Sequence, residues 1–366
     1  MKMINFTIST VALCASIMVS GASVITNVAL AGSKPDTLKL SPHEITLSAR
    51  PVPFRRGNDE QKLFGDMIFR NGYVISSSSP YWGGLSGITV SQDGGEAALV
   101  SDAGFWARLK LSYKNNRLER PMKAVVGQIF ALKGKPLKRQ RDRDAEAITL
   151  LKGDQFFGDV LISFEDNHRV GRFRLSKEGG LGPPKAYLKM RSVTSTLRGN
   201  AGLEALAVLR GGRLKGSLVA ITQSKKDRSG NFLGWLRRGR KLSLLRFTPP
   251  PRDLYRITDA ASLPNGDLLL LERRYKFLSV NIRVRYVTQK ELTSGRPIKG
   301  RVVMTANNSN HRVDNMEGIA VHQSSRGETI VTLVSDDNFN SFQQTLFMQF
   351  ALPKNWQLAW RKPAAK

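Results

Sequence analysis

Gly202-Leu203-Glu204-Ala205-Leu206 is one of four near-copies of a single phrase, and its spacing decides the fold. The others are Gly84-Leu85-Ser86-Gly87-Ile88, Asp144-Ala145-Glu146-Ala147-Ile148 and Asn315-Met316-Glu317-Gly318-Ile319. A degenerate fifth, Asp259-Ala260-Ala261-Ser262-Leu263, falls in the one gap. Their third residues, 86, 146, 204, 261 and 317, lie 60, 58, 57 and 56 residues apart. A fixed period of this size marks stacked supersecondary units, none of which can bury its apolar face alone.

Each phrase leads into a strand, a turn and a second strand that ends in a polar cluster. After Ser86 come Ile88-Thr89-Val90, the turn Gln92-Asp93-Gly94-Gly95, and Ala97 to Val100 running into Ser101-Asp102. The fourth unit turns at Pro264-Asn265-Gly266-Asp267, and its second strand reaches Glu272-Arg273-Arg274. Third strands read from Gly171 to Leu175, Ser279 to Val287 and Thr345 to Leu352. Short β-branched and apolar runs bounded by Asn, Asp and Gly are antiparallel strand signals, and no segment keeps a helical period. The pattern predicts an all-β protein, a β-propeller. Five units start at the phrases, and one period back from Ser86 places a sixth start near the N-terminus. Six blades are expected, with five or seven as alternatives. Leu38 to Ala49 is expected to complete the last blade beside Thr345 to Leu352, joining the chain ends and removing an exposed edge.

Lys2, the apolar stretch from Phe6 to Val28 and the small-x-small run Ala29-Leu30-Ala31 read as a signal peptide cleaved after Ala31. The expected location is periplasmic or secreted, with one propeller domain over 32–366. An uncleaved anchor is the alternative, since the stretch is long enough to span a bilayer. The only cysteine, Cys14, lies in that segment. Disulfides, a thiol nucleophile and a thiolate metal site are therefore excluded from the rest of the chain.

The 366 residues carry 57 Lys+Arg against 29 Asp+Glu, a net of +28. That balance favours anionic partners such as phosphorylated substrates, lipid headgroups or lipopolysaccharide, or it is a solvated basic bias. The basic runs Lys133 to Arg143 and Arg237 to Lys241 lack interleaved aromatics or zinc-ligand spacing, so no specific nucleic-acid module is expected.

In a propeller, residues in phase form a ring around the channel. Glu146, Glu204 and Glu317 share one phase, with Ser86 and Ala261 filling it elsewhere. Asp102, Glu165, Glu272 and Asp336, at second-strand ends, suggest another ring. Converging carboxylates raise one another's pKa values unless a cation is bound, and calcium suits an all-oxygen ligand set. The competing reading makes these glutamates structural, accepting backbone N–H bonds that lock blades together.

The glutamate phrase, the run Phe164-Glu165-Asp166-Asn167-His168-Arg169-Val170 and the tail Leu333-Val334-Ser335-Asp336-Asp337-Asn338-Phe339 with Gln344-Thr345-Leu346-Phe347 carry a resemblance. From Gly83 to Leu352 the chain resembles the exported proteins of the esterase-like activity of phytase family. The resemblance implies a propeller whose acidic positions serve phosphoester hydrolysis, with calcium assistance. Two departures stand out. The Asp-Ala-Pro-Asp-Asp-Pro-type signature of alkaline propeller phytases is absent, and Ala261 interrupts the glutamate series.

The expected metal ligands are thus Glu146, Glu204, Glu317, Asp102 and Asp336. Glu165, Asp166, His168 and Arg169 are the catalytic candidates, with His168 as a general acid, and Arg273 and Arg274 would bind phosphate. His43-Glu44 lacks the second histidine of a zinc-protease helix, and Gly84-Leu85-Ser86-Gly87 stops short of a nucleophile elbow. Two functions follow. One is a calcium-assisted phosphoesterase acting on a phosphorylated small molecule or phosphodiester; the alternative is a non-catalytic propeller binding anionic envelope components. Lactone or sugar-ester hydrolysis at a calcium centre has no specific phrase here.

Overall fold

In this computed structural model, which describes residues 40–152, 155–199, 201–249, 254–276 and 279–360, five large antiparallel sheets form the body, and Tyr113–Lys114 with Arg117–Leu118 make a separate two-stranded hairpin. Each of the five large sheets begins with an inner strand that carries one repeat. These are Leu85–Val90, Ala145–Leu150, Leu203–Val208, Arg256–Ser262 and Asn315–Gln323. Each inner strand packs beside the next, and the fifth returns to the first, so they enclose a channel. The architecture is a β-propeller of five blades, not six.

The blade count has a clear cause. The segment ahead of the first phrase provides outer strands and no inner one. Met67–Ser76 pairs with the C-terminal strand Leu346–Ala351 in blade 5, with Leu346 opposite Val74 and Ala351 opposite Ile68. Ser48–Pro51 then adds outside Met67–Ser76. His43–Thr46 crosses to the first blade, pairing with Lys123–Gln128. The chain ends do close the ring, but the strand beside Leu346–Ala351 is Met67–Ser76 and not Leu38 to Ala49, of which residues 38 and 39 lie outside the described residues. Met67–Ser76 alternates buried and partly exposed positions as an outer strand does, whereas Leu85–Val90 and Leu203–Val208 are buried throughout. The proposed export segment also lies outside the described residues. Among those described, no helix is long and apolar enough to cross a membrane.

The apolar core divides into five clusters, one for each blade-to-blade interface. The interface of blades 4 and 5 also takes in Phe54, Phe64 and Phe69 from the N-terminal segment, capped by Trp356 and Trp360. A blade's faces are thus apolar only because a neighbour covers them, which is why the repeat must close on itself.

A β-bulge sits at the same place in every inner strand, and it defines the true phase. Register slips occur between Leu85 and Gly87, Ala145 and Ile148, Leu203 and Ala205, Ile257 and Asp259, and Met316 and Gly318. The residues at the bulge are Ser86, Glu146, Glu204, Thr258 and Glu317. The fourth repeat is therefore centred on Thr258, three residues before the expected Ala261. Side-chain bonding supports the same alignment. Ser86 Oγ donates to Val100 O and to Ala145 O, the residue just before Glu146 in the next blade. Thr258 Oγ1 donates to Leu271 O and to Met316 O, the residue just before Glu317. Where the phase residue is a hydroxyl, it sews its blade to the next. The following position is equally constrained in two blades: a Cβ on Gly87 would lie 2.8 Å from Ala147 Cα, and one on Gly318 2.6 Å from Val334 Cγ1.

Candidate functional site: an acidic channel mouth

The bulge residues lie near the start of the inner strands, and antiparallel pairing sets the ends of the second strands beside them. Leu85 faces Ser101, Ala145 faces Phe164, Leu203 faces Thr222, Ile257 faces Glu272 and Met316 faces Ser335. The next residues in the second strands, Asp102, Glu165, Gln223, Arg273 and Asp336, therefore form the second ring. One end of the channel thus gathers carboxylates from residues hundreds of positions apart.

Arg273, and not Glu272, is the blade 4 member of that ring. Alternation along the strand turns Glu272 to the other face, where it is fully buried and ion-paired with Arg283 and Arg285. Arg273 forms an ion pair with Glu317 across the blade boundary, both side chains nearly buried. Burial works against the guanidinium's charge, but the carboxylates of Glu317 and Glu204 outweigh it and hold the Arg273 pKa above its usual value.

The rest of the mouth is acidic. One oxygen from each of Asp144, Glu146 and Glu165 lies within 4.8 Å of the others. That is about twice a calcium–oxygen bond, the widest separation two oxygens can have across one ion. Glu165 also accepts from Gly202 N at 2.8 Å, which fixes its orientation at the seam of blades 2 and 3. Burial, reinforced by Glu204, Asp144, Glu165 and Glu317, holds the Glu146 pKa well above the ordinary carboxylate value. Glu146 keeps some contact with the channel, yet the surrounding protein leaves its charge poorly hydrated. Burial and then Glu165 and Glu317 do the same to Glu204. A side-chain hydrogen bond joins Glu165 and Glu204, opposing the rise of the Glu165 pKa and adding to that of Glu204. Burial also raises Glu317, against the pull of Arg273.

Asp336 sits on the opposite side of the mouth. It accepts from Asn338 N at 2.6 Å and Asn315 Nδ2 at 3.1 Å, while burial, Asp102 and Glu317 raise its pKa. Asp259, one residue beyond the blade 4 bulge, has a structural task. It accepts from Ile319 N at 2.9 Å and Ala260 N at 2.8 Å, tying blade 4 to blade 5.

Of the expected metal ligands, Glu146, Glu204, Glu317, Asp102 and Asp336 all belong to this mouth. Of the catalytic candidates, the fold brings only Glu165 into it. Asp166 is exposed at positive φ in the hairpin that follows. The charged neighbours of His168 are Asp166, Arg198 and Lys225, and burial lowers its pKa. Arg169 lies over the Phe164 ring at 3.9 Å and donates to Asn167 O and Asp142 O, which makes it a brace for the hairpin. Arg274 points away from the channel and lies over Tyr255 at 5.2 Å, so a phosphate clamp of Arg273 with Arg274 does not form. Sequence reasoning missed Asp144 as a ligand candidate. The signal was present, since Asp144 opens its own copy of the phrase, two residues ahead of Glu146.

A family model described as phytase-like, esterase-like activity of phytase, matches residues 80–339. That span covers most of the chain and the entire acidic mouth, and the protein belongs to this family. No curated protein matches the chain. Among solved structures, one described as a "putative 6-phosphogluconolactonase" from Bacteroides uniformis ATCC 8492 is similar at 14% identity, with a TM-score of 0.33, over 85% of this chain and 83% of that one.

Proposed function

We propose that this propeller is a metal-assisted phosphoesterase-like hydrolase working at the acidic mouth, with calcium as the cation. The observation that carries the reading is the concentration of Asp102, Asp144, Glu146, Glu165, Glu204, Glu317 and Asp336 around Arg273, in a chain whose net charge is +28. Such a mouth repels a phosphate ester on its own. It becomes an anion site only when positive charge is added. Asp144, Glu146 and Glu165 would hold the ion, and backbone or water oxygens would complete its shell.

A bound divalent cation neutralises phosphoryl oxygens and lowers the pKa of water. The chain's own groups supply the rest. Arg273 presents guanidinium donors at the same ring and is kept charged by Glu317. Burial and the neighbouring carboxylates push the Glu204 pKa well above its usual value, the direction that suits a group protonating a leaving alkoxide. Glu165, hydrogen-bonded to Glu204, orients that carboxyl group. Export to the periplasm or cell exterior, which the N-terminal sequence suggests, is consistent with this reading.

The test is turnover of an aryl phosphate and an aryl phosphodiester with calcium and with chelator. Calcium-dependent hydrolysis that disappears in Glu146→Gln with Glu317→Gln, while the circular dichroism spectrum is retained, is expected. A second reading, a binding propeller docking anionic envelope components, is favoured by the exposed basic turn at Arg238, Arg240 and Lys241. It predicts no turnover, and vesicle binding that falls steeply with salt.

A further inference from the structure

The opposite mouth of the channel, at the far ends of the same inner strands, has the reverse character. A cavity of about 570 Å³ opens there, and no carboxylate is among the described residues that line it. Its charged and polar walls come from Lys152, Arg210, Lys215 and His322. Val208, Leu209 and Pro264 supply an apolar side.

Arg210 is the decisive residue. Its guanidinium extends from blade 3 towards blade 5 and donates from Nη1 to Val321 O at 2.6 Å. That uses one of five N–H donors. Desolvation lowers its pKa to about 10, so it stays charged at neutral pH, and no carboxylate among the described residues pairs with it. Arg210 is half-buried, so part of its guanidinium is turned to the cavity, and a partly desolvated cation is normally met by an anion.

His322 adds a second, independent sign. It is buried, it lines the cavity, and its Nδ1, itself shielded from solvent, has no hydrogen-bond partner among the described residues. Gln349 Nε2 donates to Tyr113 Oη at 3.0 Å, and Tyr113 Oη faces His322 Nε2 at 3.4 Å. With the tyrosine hydrogen placed on Nε2, the proton of the neutral ring sits on Nδ1, for which no described residue is an acceptor. Burial and the neighbouring Arg210 hold the imidazole down to about 4, so it stays neutral at pH 7. The nearby carboxylate, Asp93, is already engaged by Ser91 Oγ and Gly95 N.

We propose that this second mouth binds a small organic oxyanion, a phosphate monoester or carboxylate on an apolar body, anchored by Arg210 and His322 with Lys152 and Lys215 at the rim. The cavity is of the size that accepts a small ligand. This site is separate from the acidic mouth and does not depend on any metal there.

The test titrates the purified protein calorimetrically with phenyl phosphate and with benzoate, in chelator so that the acidic mouth cannot recruit an anion through a cation. Both probes are expected to bind, phenyl phosphate the more tightly because it carries the greater charge. Arg210→Met should weaken phenyl phosphate at least tenfold, and Glu204→Gln with Glu317→Gln should leave it unchanged. Failure of both probes to bind, equal binding to Arg210→Met, or loss on changing the acidic mouth would each overturn the proposal. Should Arg210→Met not fold, the exposed pair Lys152→Gln with Lys215→Gln serves instead. A several-fold loss with a shallower salt dependence supports the site; unchanged affinity and salt dependence overturns it.

Discussion

Replacing Glu146 and Glu204 together by Gln should stabilise the calcium-free protein at pH 8 and leave it nearly unchanged at pH 5. Both carboxyls have native pKa values above their unfolded ones, through burial first and mutual repulsion second. The stability they contribute is fully present below the ordinary value of 4.5 and is lost as pH rises through the raised native values. Over that window the native state keeps protons that the unfolded chain has released, so unfolding free energy falls with pH. Each retained proton gives a slope of about 1.4 kcal/mol per pH unit. For a folded unit of about 320 residues the unfolding entropy is about 0.7 kcal/mol per degree. One proton is therefore worth roughly 2 °C per pH unit, and two roughly 4 °C. Gln imitates the protonated carboxyl and removes that slope. The depressed histidines His168, His311 and His322 act in the opposite sense but are common to both proteins, so they cancel in the difference. The assay is thermal unfolding of both proteins from pH 5 to 8.5 in chelator. A double variant no more stable than the parent at pH 8, with parallel pH profiles, would refute the reasoning.

Three further outcomes are expected. Glu272→Ala leaves Arg283 and Arg285 buried against a lost carboxylate and should cost about 3–5 kcal/mol, seen as a fall of several degrees in melting temperature. Thr258→Val removes the hydroxyl that joins blade 4 to Met316 O and should cost about 1 kcal/mol in denaturant unfolding without altering the acidic mouth. Gly318→Ala places a methyl against Val334 and Ile88 and should cost about 1–3 kcal/mol, read as a lower urea midpoint.

The architecture was legible because four phrases kept both spacing and wording, and inner strands must recur when blades do. Blade number was harder. Counting one period back from Ser86 assumes that the N-terminal segment holds an inner strand, whereas its residues spread over the outer edges of blades 1 and 5. The fourth phase was misplaced because Asp259-Ala260-Ala261 imitates the phrase by composition. A bulge leaves no letter in the sequence, and Thr258 is identified only by register and by its bond to Met316 O. The same one-residue ambiguity put Glu272 in the second ring in place of Arg273. In a strand, a shift of one reverses the face, which separates a buried ion-pair triad from the channel. The glutamates of the mouth were readable because they share a phase. Asp166, His168 and Arg169 follow Glu165 in the chain, but the hairpin turns them outward, and sequence adjacency says nothing about that turn.

The central claim is that the acidic mouth is a cation site. Calcium titration by calorimetry, paired with anomalous density from crystals soaked in calcium, tests it most directly. The account predicts saturable binding and an ion held by Asp144, Glu146 and Glu165, with affinity lost in Glu146→Gln. A protein that takes up no calcium, or binds it only away from Asp144, Glu146 and Glu165, would contradict it.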